Sequence, residues 1–373
     1  MNISLHMMEP WLIENQFVEY NLGESGVVDI TLGEVLSITN TNVSELLECS
    51  FKNNDTYGSY SLRSKIASLY NNVEPDEVIV TTGVSEALFI YYHLRFEPGA
   101  NVIVPFPAFQ TLYEVPRYLG YEVRHLELYA EENYRVDLER LSSLIDNKTK
   151  VIVLNNPHNP TGMTLSNSEF KAIINLAKQH DIEILVDEHY RFIPYDDETL
   201  LPSLYNKSNR IVAMGSMIKC FACVGLRIGW VVAERSLIKQ MRDFKDYTTH
   251  SICSVNDFLA YRLLLHNNEI GLKNKSLVLQ NVNEFRKFVK MHNSIIDWVE
   301  PQAGLVAFPY FKDKTENTQR FAERLVKETE VSVLPGEVFE RPGYFRVGFG
   351  LPPAKFSQAV KKMSNFITSN YLK

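Results

Sequence analysis

Lys219 lies between Ser216 and Arg227 in the run Gly215-Ser216-Met217-Ile218-Lys219-Cys220-Phe221-Ala222-Cys223-Val224-Gly225-Leu226-Arg227-Ile228-Gly229-Trp230. An ordinary lysine is a solvated charge. An amine in a Gly-punctuated loop between two apolar runs, with a hydroxyl and a guanidinium nearby in sequence, is a candidate for an anchored Schiff base with a carbonyl compound. Two other clusters invite metal chemistry but do not support it. Asp187, Glu188 and His189 are consecutive, and neighbours on a strand point to opposite faces, so the three do not converge on one ion. Cys220 and Cys223 form a CxxC without a second ligand pair, which predicts packing rather than zinc or redox use. No metal is expected. No Walker-type loop and no Gly-x-Gly-x-x-Gly opening a helix is present, so nucleotide binding has no support.

The elements that must position these residues follow from the apolar pattern. Short apolar runs at 78–81, 102–104, 151–154, 182–186, 211–214 and 228–232 alternate with helical stretches, the pattern of an α/β fold with a mostly parallel sheet covered on both faces. Ser166 and Glu169 make a capping box before Phe170, Ile173, Ile174 and Ala177 at helical spacing, completing a βαβ unit. Ligands collect at the carboxyl ends of such strands. The unusual polar residues fall there: Gly83, Val84 and Ser85 after one strand, residues 155–162 after another, 187–190 after a third and 216–219 after a fourth. Past residue 234, amphipathic helical stretches and short strands near 305–310, 331–334 and 344–349 predict a smaller α+β domain. The expected division is an N-terminal segment 1–45 packing on the small domain or a partner subunit, a large domain 46–240 and a small domain 241–373.

Composition bounds the partners. The chain has 373 residues, 45% hydrophobic and 22% charged, with a net charge of −7. It lacks the basic stripe expected of a nucleic-acid or anionic-membrane surface. Residues 1–10 lack a signal-peptide pattern, and no apolar run approaches the ~20 residues needed to span a bilayer, so a cytoplasmic location is expected.

The combination of Asn155-Asn156-Pro157-His158-Asn159-Pro160-Thr161-Gly162, Asp187-Glu188-His189-Tyr190, Ser216-x-x-Lys219 with Arg227, and Phe345-Arg346-Val347 resembles the class I/II aminotransferases of the fold-type I enzymes that use pyridoxal 5'-phosphate (PLP). Order and spacing match over nearly the whole chain. The resemblance implies a large PLP-binding domain with a seven-stranded-type sheet, a homodimer, and amino acid and 2-oxo acid substrates. It implies that Lys219 forms the Schiff base and moves the Cα proton, and that Asp187 pairs with the pyridinium nitrogen. Asn159 and Tyr190 would bond the ring hydroxyl oxygen, with Asn159 also near substrate, and Phe109 would stack on the ring. Gly83, Val84, Ser85, Ser216 and Arg227 would hold the phosphate, and Arg346 the substrate carboxylate. Two positions depart from the family pattern: Asn53 stands where a tyrosine commonly reaches the partner's phosphate, with Tyr57 nearby, and Ile218 stands where a serine usually precedes the lysine.

Within the family, Trp11, Ile30-Thr31-Leu32-Gly33-Glu34 and Leu334-Pro335-Gly336-Glu337-Val338-Phe339 are similar to capreomycidine synthase and aminotransferases close to it. The leading expectation is transfer of an α-amino group to a 2-oxo acid. That narrower likeness implies an alternative, elimination, addition or cyclisation on a guanidino or hydroxy amino acid. Gly33 and Glu34 are then substrate-binding candidates, with Glu34 gripping a cationic side chain or serving as a plain helix cap. A non-catalytic binding module is the third alternative, and the intact Lys219, Asp187 and Arg346 argue against it.

Overall fold

The apolar runs pair with one another. The structure, a computed structural model, describes residues 3–205 and 209–371. Seven strands form one sheet: β1 Val78–Thr81, β2 Asn101–Phe106, β3 Glu122–Glu127, β4 Thr149–Asn155, β5 Glu183–Asp187, β6 Ile211–Gly215 and β7 Gly229–Val232. Their order is β1-β7-β6-β5-β4-β2-β3, and only β7 runs against the others. Alternate residues feed two layers, as a pleat of period two demands. Val80, Ile103, Ile152, Ile184 and Ala213 face one core, while Ile79, Val104, Val153, Leu185 and Val212 face the other. Helix α3 (Gly83–Arg95) packs on the second layer through Ala87, Leu88 and Tyr91. Helix α4 (Asn167–Gln179) starts at the expected Ser166 and Glu169 capping box and buries Phe170, Ile173 and Ala177 in the first.

The smaller sheet has the order β8 (Val306–Ala307), β10 (Phe345–Gly348), β9 (Leu334–Pro335). Helix α6 (Pro353–Tyr371) packs against neighbouring helices and the Val331–Ser332 strand, burying Phe356, Ala359, Val360, Met363 and Phe366 as one stripe at helical spacing. Helix α5 (Asn267–Met291) ties the two parts together. Its Asn274 Nδ2 donates to the Cys220 carbonyl at 2.8 Å, and its Asn281 Nδ2 donates to the carbonyls of Phe349 and Leu351. The expected domain boundary after residue 240 falls inside helix Arg235–Lys245, whose Leu237, Ile238 and Met241 pack in the sheet's second layer.

The N-terminal segment is a strap. Helix α1 (Met8–Glu14) sends the Trp11 indole N–H to the Val333 carbonyl at 3.0 Å, and Tyr20–Asn21 pairs in parallel with Val331–Ser332. Met7 N–H reaches Gln110 of the larger part at 2.7 Å. Helix α2 (Leu32–Ile38) follows the strap.

Candidate active site

Register builds the floor of the site. β4 and β5 align Asn155 with Asp187, so both side chains leave the sheet at its carboxyl edge. The Asp187 carbonyl accepts from Asn156 N at 2.8 Å and Asn155 Nδ2 at 3.1 Å, which fixes the strand end. Its carboxylate takes the His189 N–H at 3.2 Å, and no cation pairs with it among the described residues. It is only 7% exposed, and burial pushes its pKa up to about 7.

The loop after β6 is braced from within. Ser216 Oγ donates to the Ile228 carbonyl at 2.8 Å and accepts from Ile218 N at 3.2 Å, and Phe221 N–H donates to the Met217 carbonyl at 2.9 Å. This presents Lys219 to a cavity of about 440 Å³. The strap closes over its stem: Val27 N–H donates to the Lys219 carbonyl at 3.0 Å, and a Cβ on Gly26 would lie 3.3 Å from Lys219 Cδ. Burial lowers the pKa of the amine, with the Arg346 charge adding to that and Glu24 opposing it.

One end of the cavity suits an anion. Gly83 opens α3 at φ 76°, and a Cβ there would come within 2.8 Å of Arg227 Nη2. The guanidinium therefore sits over the first turn of a 13-residue helix, whose unpaired N–H groups favour negative charge. Val84 and Ser85 of that turn line the cavity, as does Arg227. At Gly229, opposite, a Cβ would lie 2.6 Å from the Val84 nitrogen, so β7 meets the turn with no room for a side chain.

Phe109 and Tyr190 are cavity walls. Burial pushes the Tyr190 phenol up to about 12, partly offset by Arg346 and a hydrogen bond with Ser25. Beyond them lies Arg346 on β10, fully buried. Its Nη1 donates to Asn159 Oδ1 at 3.0 Å and its Nη2 to the Gly23 carbonyl at 2.7 Å, while Nε is a buried donor with no partner among the described residues. Asn159 is held from behind, its N–H donating to Asn155 Oδ1 at 2.6 Å.

Lys219, Asp187, Tyr190, Asn159, Phe109, Val84, Ser85 and Arg227 thus line one cavity, with Gly83 and Arg346 immediately behind its walls. Ser216 is fully buried behind the loop, its hydroxyl donating to the Ile228 carbonyl, and is not among the lining residues. Gly33 and Glu34 also lie outside the lining. Glu34 accepts from Thr31 N and Oγ1 at 2.8 Å, a capping box that starts the exposed helix α2 outside the cavity. Glu188 turns away from the site to Ser203, Leu204 and Arg191. Tyr57 packs beneath Arg63, 5.4 Å from its guanidinium, and does not reach the cavity.

Asn155 and His189 belong to the strand-end loops expected at the site, although neither has an assigned role there; burial lowers the His189 pKa to about 3. Other wall residues have no such signal. Glu9, Glu24 and Ser25 come from the strap, whose approach is a tertiary event without a local signal.

A sequence model of the family described as aminotransferase class I and II matches residues 50–363. The chain belongs to that family. It is 28% identical over 356 residues to an aspartate aminotransferase of Thermotoga maritima, covering 92% of each chain. It is 26% identical over 361 residues to the capreomycidine synthase of Streptomyces vinaceus, covering 96% of this chain and 92% of the relative. A crystal structure of a PLP-dependent aminotransferase from Streptococcus suis superposes with a TM-score of 0.92 at 27% identity, covering 99% of both chains. This aminotransferase is therefore a fold-type I, PLP-dependent enzyme, and its cavity fits that cofactor on three counts. One cavity holds a buried carboxylate with no cation partner among the described residues, a helix N-terminus with an arginine over it, and a lysine of lowered pKa.

Proposed function

We propose that this aminotransferase moves the α-amino group of an amino acid to a 2-oxo acid, with Lys219 as the amine that carries the cofactor and shuttles the Cα proton. One observation carries the reading: a single cavity holds the buried Lys219 amine, the unpaired Asp187 carboxylate and the anion-binding turn under Arg227, with the orphaned Nε of Arg346 behind it. PLP, when bound, supplies an aldehyde for the amino group and a ring that accepts the electrons released at Cα.

The residues divide the remaining work. Arg227, Ser85 and the N–H groups after Gly83 hold a phosphate, and Phe109 covers the ring's face. Asp187 would face the protonated ring nitrogen as a carboxylate, that positive charge offsetting the burial that raises its pKa when the site is empty. Tyr190 and Asn159 set the hydrogen bonding of the ring oxygen. Arg346 takes the substrate carboxylate as a fork and so orients the Cα–H bond toward Lys219. Lys219, with its proton affinity reduced by burial, accepts and returns that proton.

A second reading, elimination, addition or cyclisation from the same start, is favoured by the capreomycidine synthase likeness over 96% of the chain. We read the protein as a homodimer: Leu47, Phe51 and Tyr247 are 79%, 86% and 90% exposed, surface that a second copy would cover. Four free cysteines support a reducing, cytoplasmic setting.

Substitution of Lys219 tests the assignment. Borohydride treatment of wild-type holoenzyme leaves the cofactor's mass on the chain, whereas Lys219→Ala retains none and loses at least about a thousandfold in turnover. Turnover within tenfold of wild type in Lys219→Ala would refute it.

A further inference from the structure

We infer that the substrate side chain carries a positive charge and is read by Glu9 and Glu24; the inference rests on the amino-acid-binding reading of the cavity. The charged walls can be assigned one by one. Arg227 belongs to the anion end, Lys219 to the reacting carbon, and Asp187 to the cavity floor. Arg346 is spoken for by a carboxylate. Two charged walls remain, Glu9 and Glu24, and both are acids. Neither makes a hydrogen bond or salt bridge to another described side chain, yet both lie close enough for their fields to act on Lys219 and Arg346. Both are solvent-exposed at the cavity mouth, and a substrate carboxylate on Arg346, with Lys219 engaged in the reaction, leaves them as the free charges beside the bound side chain. A cationic side chain neutralises them, a neutral one leaves them, and an anionic one adds to them.

The walls between these acids fit the stem of such a side chain. Met8, Glu9, Leu12, Ile13 and Gln16 face the cavity from the α1 region, an apolar strip carrying one carboxylate and one amide. Glu24 enters from the strap beside Ser25, which bonds Tyr190. Alkyl carbons can lie along Met8 and Leu12 while the cationic head meets carboxylates at the mouth. Among the described lining residues, none offers a second carboxylate a cation beyond those already assigned.

L-Arginine and L-citrulline test the point, because they share shape and differ in charge. Calorimetric titration of the holoenzyme with each, and with L-glutamate, reads binding whether or not turnover follows. We expect arginine to bind at least about tenfold more tightly than citrulline and glutamate to bind weakest. In Glu24→Gln and Glu9→Gln the arginine-to-citrulline ratio falls about threefold to tenfold, and Glu24→Arg shifts preference toward glutamate. Equal affinity for arginine and citrulline, tighter binding of glutamate, or no binding of arginine overturns the inference without recourse to any variant. Failure of the aminotransferase reading looks different: no amino group reaches a 2-oxo acid from any amino acid, bound or not.

Discussion

Replacing Asp187 by asparagine should make the apoprotein more stable at neutral and alkaline pH, against the usual cost of altering a buried site. Burial raises this carboxyl from its ordinary 3.8 to about 7, and only the His189 N–H offsets the penalty. At ~1.4 kcal/mol per pKa unit, ionising it in the folded apoprotein costs up to about 4 kcal/mol. Water in the cavity reduces this to roughly 2–4 kcal/mol. The sign follows from linkage. Below pH 4 both states are protonated and the group contributes nothing. Between pH 4 and pH 7 the unfolded chain has released its proton and the folded chain has not, so stability falls as pH rises. Above pH 7 the full cost is present. Asparagine does not titrate, so the variant's unfolding free energy relative to wild type should climb by roughly 2–4 kcal/mol from pH 4 to pH 8. Urea unfolding of both apoproteins at four pH values measures it. With PLP bound, the wild-type dependence should shrink, because the ring nitrogen supplies the missing partner, while Asp187→Asn loses at least about a hundredfold in turnover. A difference curve flat to within 1 kcal/mol over that range would show that Asp187 is an ordinary carboxylate and remove the main argument for its role.

Two further substitutions probe the edges of the site. Gly83→Ala forces a side chain into φ 76° and against Arg227 Nη2, so it should cost about 1–2 kcal/mol in stability and weaken PLP binding about tenfold by equilibrium dialysis; unchanged cofactor affinity would separate the anion from this turn. Glu34→Ala removes one half of the α2 capping box and should lower the urea midpoint slightly while leaving amino-acid selectivity where it was; altered selectivity would restore Glu34 to the substrate site.

How far the sequence revealed this depended on whether a residue's surroundings were local. Val151-Ile152-Val153-Leu154 is buried on both faces and reads as an unbroken apolar run, so its strand was evident. The strand Glu122–Glu127 has the sequence Glu-Val-Arg-His-Leu-Glu and sits at the sheet edge with half-exposed charges, so its pattern was silent. Asp187, Asn159 and Lys219 stand out because each is polar just beyond an apolar run, and register then brings them together. The hydrogen bond of Ser216 to the Ile228 carbonyl was not legible, because no spacing along the chain encodes it. Glu9 and Glu24 reach the site only because the strap is sewn to the C-terminal part of the chain, through Tyr20 beside Val331 and the Gly23 carbonyl on Arg346. No spacing along the chain encodes those pairings.

The central claim, that this cavity transfers amino groups, is tested most directly by following nitrogen. Wild-type holoenzyme is incubated with ¹⁵N-labelled amino acids, L-arginine among them, and unlabelled 2-oxo acids, and the products are read by mass. Label is expected on the amino acid formed from the acceptor, with loss of label from the donor in equal amount. Label retained on a dehydrated or cyclised donor, with none on any acceptor, would contradict it.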